Sequence, residues 1–154
     1  MTSPFLFHPL AVHLALSLGL LSAVVELLPS LKRTVPPRIQ KRALELTLLF
    51  LSLALFTGVE SFATIKERHI PLPLVATIHG VIATSGGVLF LLLWLLTKKV
   101  GERSPRAFPS RQIIAGGGLL ALLAAATLGG HLVYNDRLGT SHMTDPPSLA
   151  PPPR

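Results

Sequence analysis

The sequence predicts an all-α, polytopic membrane protein, an antiparallel bundle of four transmembrane helices with both termini on the outer side. Three observations lead there. The 154 residues are 49% hydrophobic and only 14% charged, with a mean hydropathy of +0.58, too apolar for an ordinary soluble domain. The apolar residues gather into four runs, each near or beyond the ~20 residues that span a bilayer. Lys and Arg lie between the runs, where they report orientation. The net charge of +7 therefore does not point to nucleic acid. Cysteine is absent, which excludes disulfides, thiolate metal sites, iron–sulfur clusters and covalent haem attachment.

Taken in order, the first helix is expected over about residues 9–28, ending at Pro29 ahead of Lys32, Arg33, Arg38, Lys41 and Arg42. No Lys or Arg precedes it, so it reads as a retained helix and not a cleaved signal peptide. The second covers 43–65 and stops at Lys66, Glu67, Arg68 and His69. The third covers 71–97, with Pro71 and Pro73 suited to a first turn, and ends at Lys98 and Lys99. The fourth covers 113–134. These make one transmembrane domain, 1–140, and the remainder, 141–154, is a proline-rich tail expected to be disordered.

The loops after the first and third runs hold five Lys or Arg each, and the other four basic residues are Lys66, Arg68, Arg137 and Arg154. This bias places both basic loops in the cytoplasm and both termini in the periplasm of a bacterial inner (plasma) membrane. All six histidines (His8, His13, His69, His79, His131 and His142) then fall on the outer side.

Depth narrows the candidates. At 1.5 Å per residue His13 lies roughly 8 to 10 Å below the outer end of the first helix, and His79 roughly 10 to 12 Å below that of the third. Glu60 is about 8 Å in from the end of the second helix, and His131 about one turn from the end of the fourth. Ionisable groups inside an apolar span need a partner, a wet cavity or a bound group. Ala76, Ala83 and Gly86 share a face with His79 and leave room for a flat ligand, although such stripes also serve close helix packing. Gly117, Ala121, Ala125 and Gly129 read as packing. Thr57, Glu60, Ser61 and Thr64 form a polar face that could hydrogen-bond a histidine. His8 and His13 lie about 140° apart on a helix, so both cannot reach one small ion. His8 then reads as the residue at the helix entrance, folding back over the site. Glu26 and Glu45 are expected to pair with Lys or Arg of the adjacent loop, and Trp94 and Tyr134 fit an aromatic belt.

Four segments together resemble a family of uncharacterised bacterial four-helix membrane proteins. They are His8-Pro9-Leu10-Ala11-Val12-His13, Thr57-Gly58-Val59-Glu60, the third-helix His79, and Gly129-Gly130-His131-Leu132-Val133-Tyr134. The likeness runs from about residue 8 to 140 and departs from the family pattern at Leu14-Ala15 and at Arg137-Leu138-Gly139-Thr140. It implies a domain of unknown function, sometimes joined to cytochrome-like modules, and so tilts the reading toward redox work.

Three functions follow as expectations. The first is a b-type haem between His13 and His79, with Glu60 and His131 orienting ligands, meeting a propionate or helping to bind a quinone, in an electron carrier that works with other membrane redox subunits or a cytochrome. The second is a copper or zinc site from His13 and His79 with His131 and His8 in reserve. The third is a cofactor-free structural or assembly subunit of a larger membrane complex. An electron carrier or accessory subunit fits this small bundle better than a stand-alone enzyme does.

Overall fold

Proline sets where most of the helices begin. The computed structural model describes residues 7–67, 72–100 and 108–134, which are helical with no strand among them. The elements are α1 (Phe7–Leu27), α2 (Pro29–Thr34), α3 (Pro37–Glu67), α4 (Leu74–Val100) and α5 (Phe108–Tyr134). Pro29 and Pro37 each occupy the first helical position, where the missing N–H would have no intrahelical partner. Pro9 sits in the first turn of α1 and Pro109 in that of α5.

The bundle follows the expected fold class with three local differences. The segment after α1, expected as a loop, begins with the short helix α2, whose Pro29 suits helix initiation. The α3 and α5 helices start earlier than the apolar runs do, because their charged first turns face the membrane surface and need not be apolar. Conversely, α4 starts at Leu74 and not at 71, since Pro73 pushes the residue before it out of the helical region; the Pro73 carbonyl accepts from the Ala76 N–H at 2.9 Å. The histidines at 69 and 142 and the tail 141–154 lie outside the described residues.

Four helices are long and apolar enough to cross a membrane. Phe56, Ile113 and Leu120 are each about 70% exposed, an arrangement that water would penalise and lipid tails accept. Hydroxyls on these surfaces carry their own partners. Ser52, Thr84, Ser85 and Thr127 each donate to the carbonyl four residues back, at 2.8 to 2.9 Å. No water is needed to satisfy them in the hydrocarbon.

The packed neighbours are α1 with α3, α3 with α4, α4 with α5 and α5 with α1, so α1 stands diagonally opposite α4. Large apolar side chains fill the middle of the bundle and the end at which α1 meets α2, called the inner end, with Phe90 and Leu93 of α4, Leu44 and Leu51 of α3 and Leu122 of α5 buried together. Gly19 marks the closest approach of the helices there. A Cβ on it would lie 2.8 Å from Leu122 Cδ1, 3.5 Å from Phe90 and 3.6 Å from Thr47. Toward the other end most buried residues are small, Ala11, Ala54, Thr57, Ala76 and Ala125, with the larger Ile65 and Leu132 buried beyond them near the helix ends.

At the inner end three charges are buried. Glu26 of α1 receives hydrogen bonds from Lys32 of α2 on one carboxylate oxygen and from Arg111 of α5 on the other. All three side chains are less than 10% exposed. Two amides reinforce the junction. Gln112 Nε2 donates to the Leu27 carbonyl at 3.1 Å, and Gln40 Nε2 donates to the Lys32 and Val35 carbonyls at 3.0 and 2.6 Å. Carbonyls at two helix ends, which have no N–H within their own helix, are thereby satisfied. Glu45 also pairs as expected, with Arg42 at 3.2 Å and Lys41 at 4.0 Å, but in a more exposed setting where such pairs contribute little.

Replacing Glu26 by Gln sets two buried cations against a neutral amide. The expected loss is about 3 kcal/mol, seen as a lower thermal midpoint of the detergent-solubilised protein, whereas Glu45→Gln should cost less than about 1 kcal/mol. Equal midpoints for the two variants would show that the buried cluster does not hold the bundle.

Candidate functional site

Two imidazoles face inward in the small-residue end of the bundle, and they come from His8 and His79. Their depths follow from the packing. The α1 and α4 helices run in the same direction, and Gly19 lies level with Phe90. The offset in residue number between those two is the same as that between His8 and His79, so the histidines share a level on diagonal helices. His13 is five residues further along α1, about 7.5 Å deeper, and faces outward; its Nδ1–H donates to the Pro9 carbonyl at 2.7 Å.

Each inward imidazole is seated on the neighbouring helix of its own hairpin in the same way. His8 lies over Ala54 and Gly58 of α3, with Nδ1 3.0 Å from Thr57 Oγ1. His79 lies over Ala125 and Gly129 of α5, with Nδ1 2.8 Å from the Ala125 carbonyl oxygen. In both cases glycine makes room for the ring. A Cβ on Gly58 would be 3.2 Å from His8 Cε1, and one on Gly129 would be 3.1 Å from His79 Cε1. The repeated unit is a histidine docked on an Ala-x-x-x-Gly step, once in the α1/α3 hairpin and once in the α4/α5 hairpin.

These bonds fix the tautomers. A carbonyl only accepts, so the His79 proton is on Nδ1. The Thr57 hydroxyl hydrogen is engaged by the Leu53 and Ala54 carbonyls at 2.9 and 3.1 Å, so its oxygen accepts from His8 Nδ1–H. With Nδ1 protonated, a neutral ring carries its lone pair on Nε2. A backbone or side-chain acceptor on Nδ1 is also the arrangement that orients a ligating histidine and raises its basicity.

The remaining candidates are distributed differently. Glu60 and His131 are exposed. Ala76 is buried beside His79 on α4, and Ala83 is half-buried. Gly86 serves helix packing, since a Cβ there would be 3.3 Å from the Ala121 Cβ and 3.6 Å from the Gly118 carbonyl. Conversely Ala125 and Gly129, expected only to pack, form the seat of His79. Among the described residues no group of three or more His, Cys, Asp or Glu side chains converges as a metal site would require.

The signal for His8 was present on α1. His8, Ala11, Ala15, Gly19, Ser22 and Glu26 follow at three- and four-residue spacing and line the inward face, all buried except the half-buried His8. His13 lies off that line. Comparisons of the chain with protein-family models, curated proteins and solved structures give no match.

The glycine seats can be tested as a pair. Gly129→Leu drives a side chain into the His79 ring and is expected to destabilise the protein by about 1–3 kcal/mol. Gly130→Leu, which meets nothing within 4 Å, should be nearly silent in the same thermal melt. Equal effects would mean that the ring is not seated there.

Proposed function

We propose that this membrane protein is an electron carrier or redox accessory subunit that holds one imidazole-ligated group, a b-type haem, between His8 and His79. The observation that carries the reading is the matched pair of imidazoles, level with each other on diagonal helices and each bonded through Nδ1 so that Nε2 is left to ligate. Two axial nitrogens are the donor set that a b-type haem takes from its protein. The resemblance of the His8–His13 and Gly129–Tyr134 segments to bacterial membrane proteins that occur beside cytochrome-like modules supports the same reading.

The residues present fit such a group in donor type and in packing. His8 and His79 would hold it, and Thr57 and the Ala125 carbonyl would fix the orientation of the two rings. Bound haem supplies one-electron chemistry. The side chains around the pair are small, so parting the hairpins there exposes less apolar area than it would at Phe90 and Leu93. Copper or zinc has weaker support, because zinc sites use three or four protein ligands and only two converge among the described residues. A cofactor-free assembly subunit is the second reading. It is favoured by the fact that each imidazole already has a hydrogen-bond partner within its own hairpin.

The charge bias of the loops supports an orientation in a bacterial inner membrane with the histidine pair toward the periplasm, where soluble or membrane-bound redox partners could reach it. The absence of cysteine makes this direct to test. A single cysteine placed in the 135–154 segment of the protein in intact cells is expected to react with a membrane-impermeant maleimide, and one at Arg38 is expected not to. The opposite pattern would invert the orientation.

Haem content is read by the dithionite-reduced spectrum and pyridine haemochrome of protein purified after expression with adequate haem supply. Near-stoichiometric protohaem is expected in the wild type, with loss in His8→Ala and in His79→Ala and retention in His13→Ala. Loss in His13→Ala with retention in His8→Ala would return the ligand role to His13. Wild-type protein without haem would leave the assembly-subunit reading.

A further inference from the structure

The inner end contains a cavity of about 390 Å³ between α1, α3 and the α2–α3 connection, bounded on one side by Leu93 of α4. It lies at the level of Glu26, about 27 Å along α1 from His8 at the helical rise, so it is separate from the histidine pair. Its volume is that of a small-molecule site, and many times the ~30 Å³ occupied by one water. Val25, Ile39, Leu44 and Leu93 supply apolar walls, which would hold a water cluster poorly.

Four polar side chains also line it: Ser22, Glu26, Thr34 and Gln40. Their hydrogens are all committed elsewhere. Thr47 donates to the Ala43 carbonyl at 2.8 Å, so in the 3.1 Å Ser22–Thr47 contact the Ser22 hydroxyl is the donor. The Thr34 hydroxyl donates to the Leu31 carbonyl at 3.1 Å. Both hydrogens of the Gln40 amide nitrogen go to the Lys32 and Val35 carbonyls. Glu26, paired as a carboxylate with Lys32 and Arg111, is an acceptor only. The backbone follows suit. Pro36 has no N–H, Val35 N–H bonds the Leu31 carbonyl, and Ile39 and Gln40 N–H both bond the Pro36 carbonyl.

What these side chains have left is acceptor capacity. A ligand that brought only carbonyl or ether oxygens would leave its own acceptors and those of the wall without donors, which weakens binding. An ammonium would approach Glu26 against Lys32 and Arg111, which already neutralise it. We propose that this cavity binds a small, uncharged aromatic ligand carrying two hydroxyl donors, of the phenol or hydroquinone class, in preference to its oxidised or O-alkylated form. The flat apolar body suits the leucine and isoleucine walls, and the hydroxyls supply the hydrogens that the wall lacks. The membrane is a source of such ligands, since their apolar bodies partition into it.

The test uses two probes of matched shape, 2,7-dihydroxynaphthalene and its dimethyl ether, titrated calorimetrically into the detergent-purified full chain. Saturable binding of the diol, at least tenfold weaker binding of the ether, and loss of diol binding in Ala43→Leu are expected, because Ala43 lines the cavity and leucine would fill it. Helical circular dichroism checks that the variant is folded, and Ile39→Phe fills the cavity from another position if Ala43→Leu is not. Equal affinity for diol and ether would overturn the donor requirement. Equal diol uptake by wild type and a folded cavity-filling variant would mean partition into detergent and overturn the site, as would no binding at all. None of these readouts depends on haem.

Discussion

A carboxylate held away from both water and lipid constrains everything else in this bundle. Glu26 is paired with Lys32 on one carboxylate oxygen and Arg111 on the other, and those partners belong to α2 and α5. Breaking such an arrangement costs far more than forming it gains, because a charge is left behind without compensation. The cluster therefore acts less as an adhesive than as a registration mark. With α5 fixed against α1 at the inner end, Gly19 comes level with Phe90 and Leu122, and the same spacing carried outward sets His8 beside His79.

The two ends of the bundle use different physics. In the inner half Phe90, Leu93 and Leu122 give dispersion contacts and a conventional core. At the other end most of the buried residues are alanine and threonine, with half-buried Gly58 and Gly129 beside them, which let helices approach closely and let a ring be gripped by backbone and hydroxyl oxygens. Both hairpins repeat the device of histidine over Ala-x-x-x-Gly. The repetition gives the histidine pair an approximate two-fold character, with each hairpin supplying one ring and the seat for it.

Much of this was legible in the sequence. Four spans follow from the apolar runs alone, and Glu45 pairs with Arg42 and Lys41 because an acid at a helix end next to basic residues has few other choices. Glu26 was expected to meet a loop cation, and Lys32 is one. That it also meets Arg111, eighty-five residues later, depends on which helices are neighbours, a tertiary fact with no local signature. The level of the histidines is not legible in the sequence for a related reason. The ends of apolar runs do not give depth, because helices begin where capping and proline allow: His8 is the second residue of α1, whereas His79 is the sixth of α4. Small-residue stripes stand out in sequence on the third and fourth spans, whereas the stripe that turns His8 inward and leaves His13 outside is on the first. The threonine polar face on the second span did anticipate a histidine partner, and Thr57 has one in His8.

The separation in sequence between Glu26 and Arg111 has a consequence for biogenesis. A chain made from its N-terminus inserts α1 long before α5 exists. During that interval the carboxylate has the nearby Lys32 and surrounding headgroups, but neither the guanidinium nor the fourth wall that excludes them. Individually stable spans form first and associate afterwards, so the inner end closes only when the last span arrives. Closure of the bundle thereby waits on α5, and a chain made only as far as α4 has three spans around an unfinished seam.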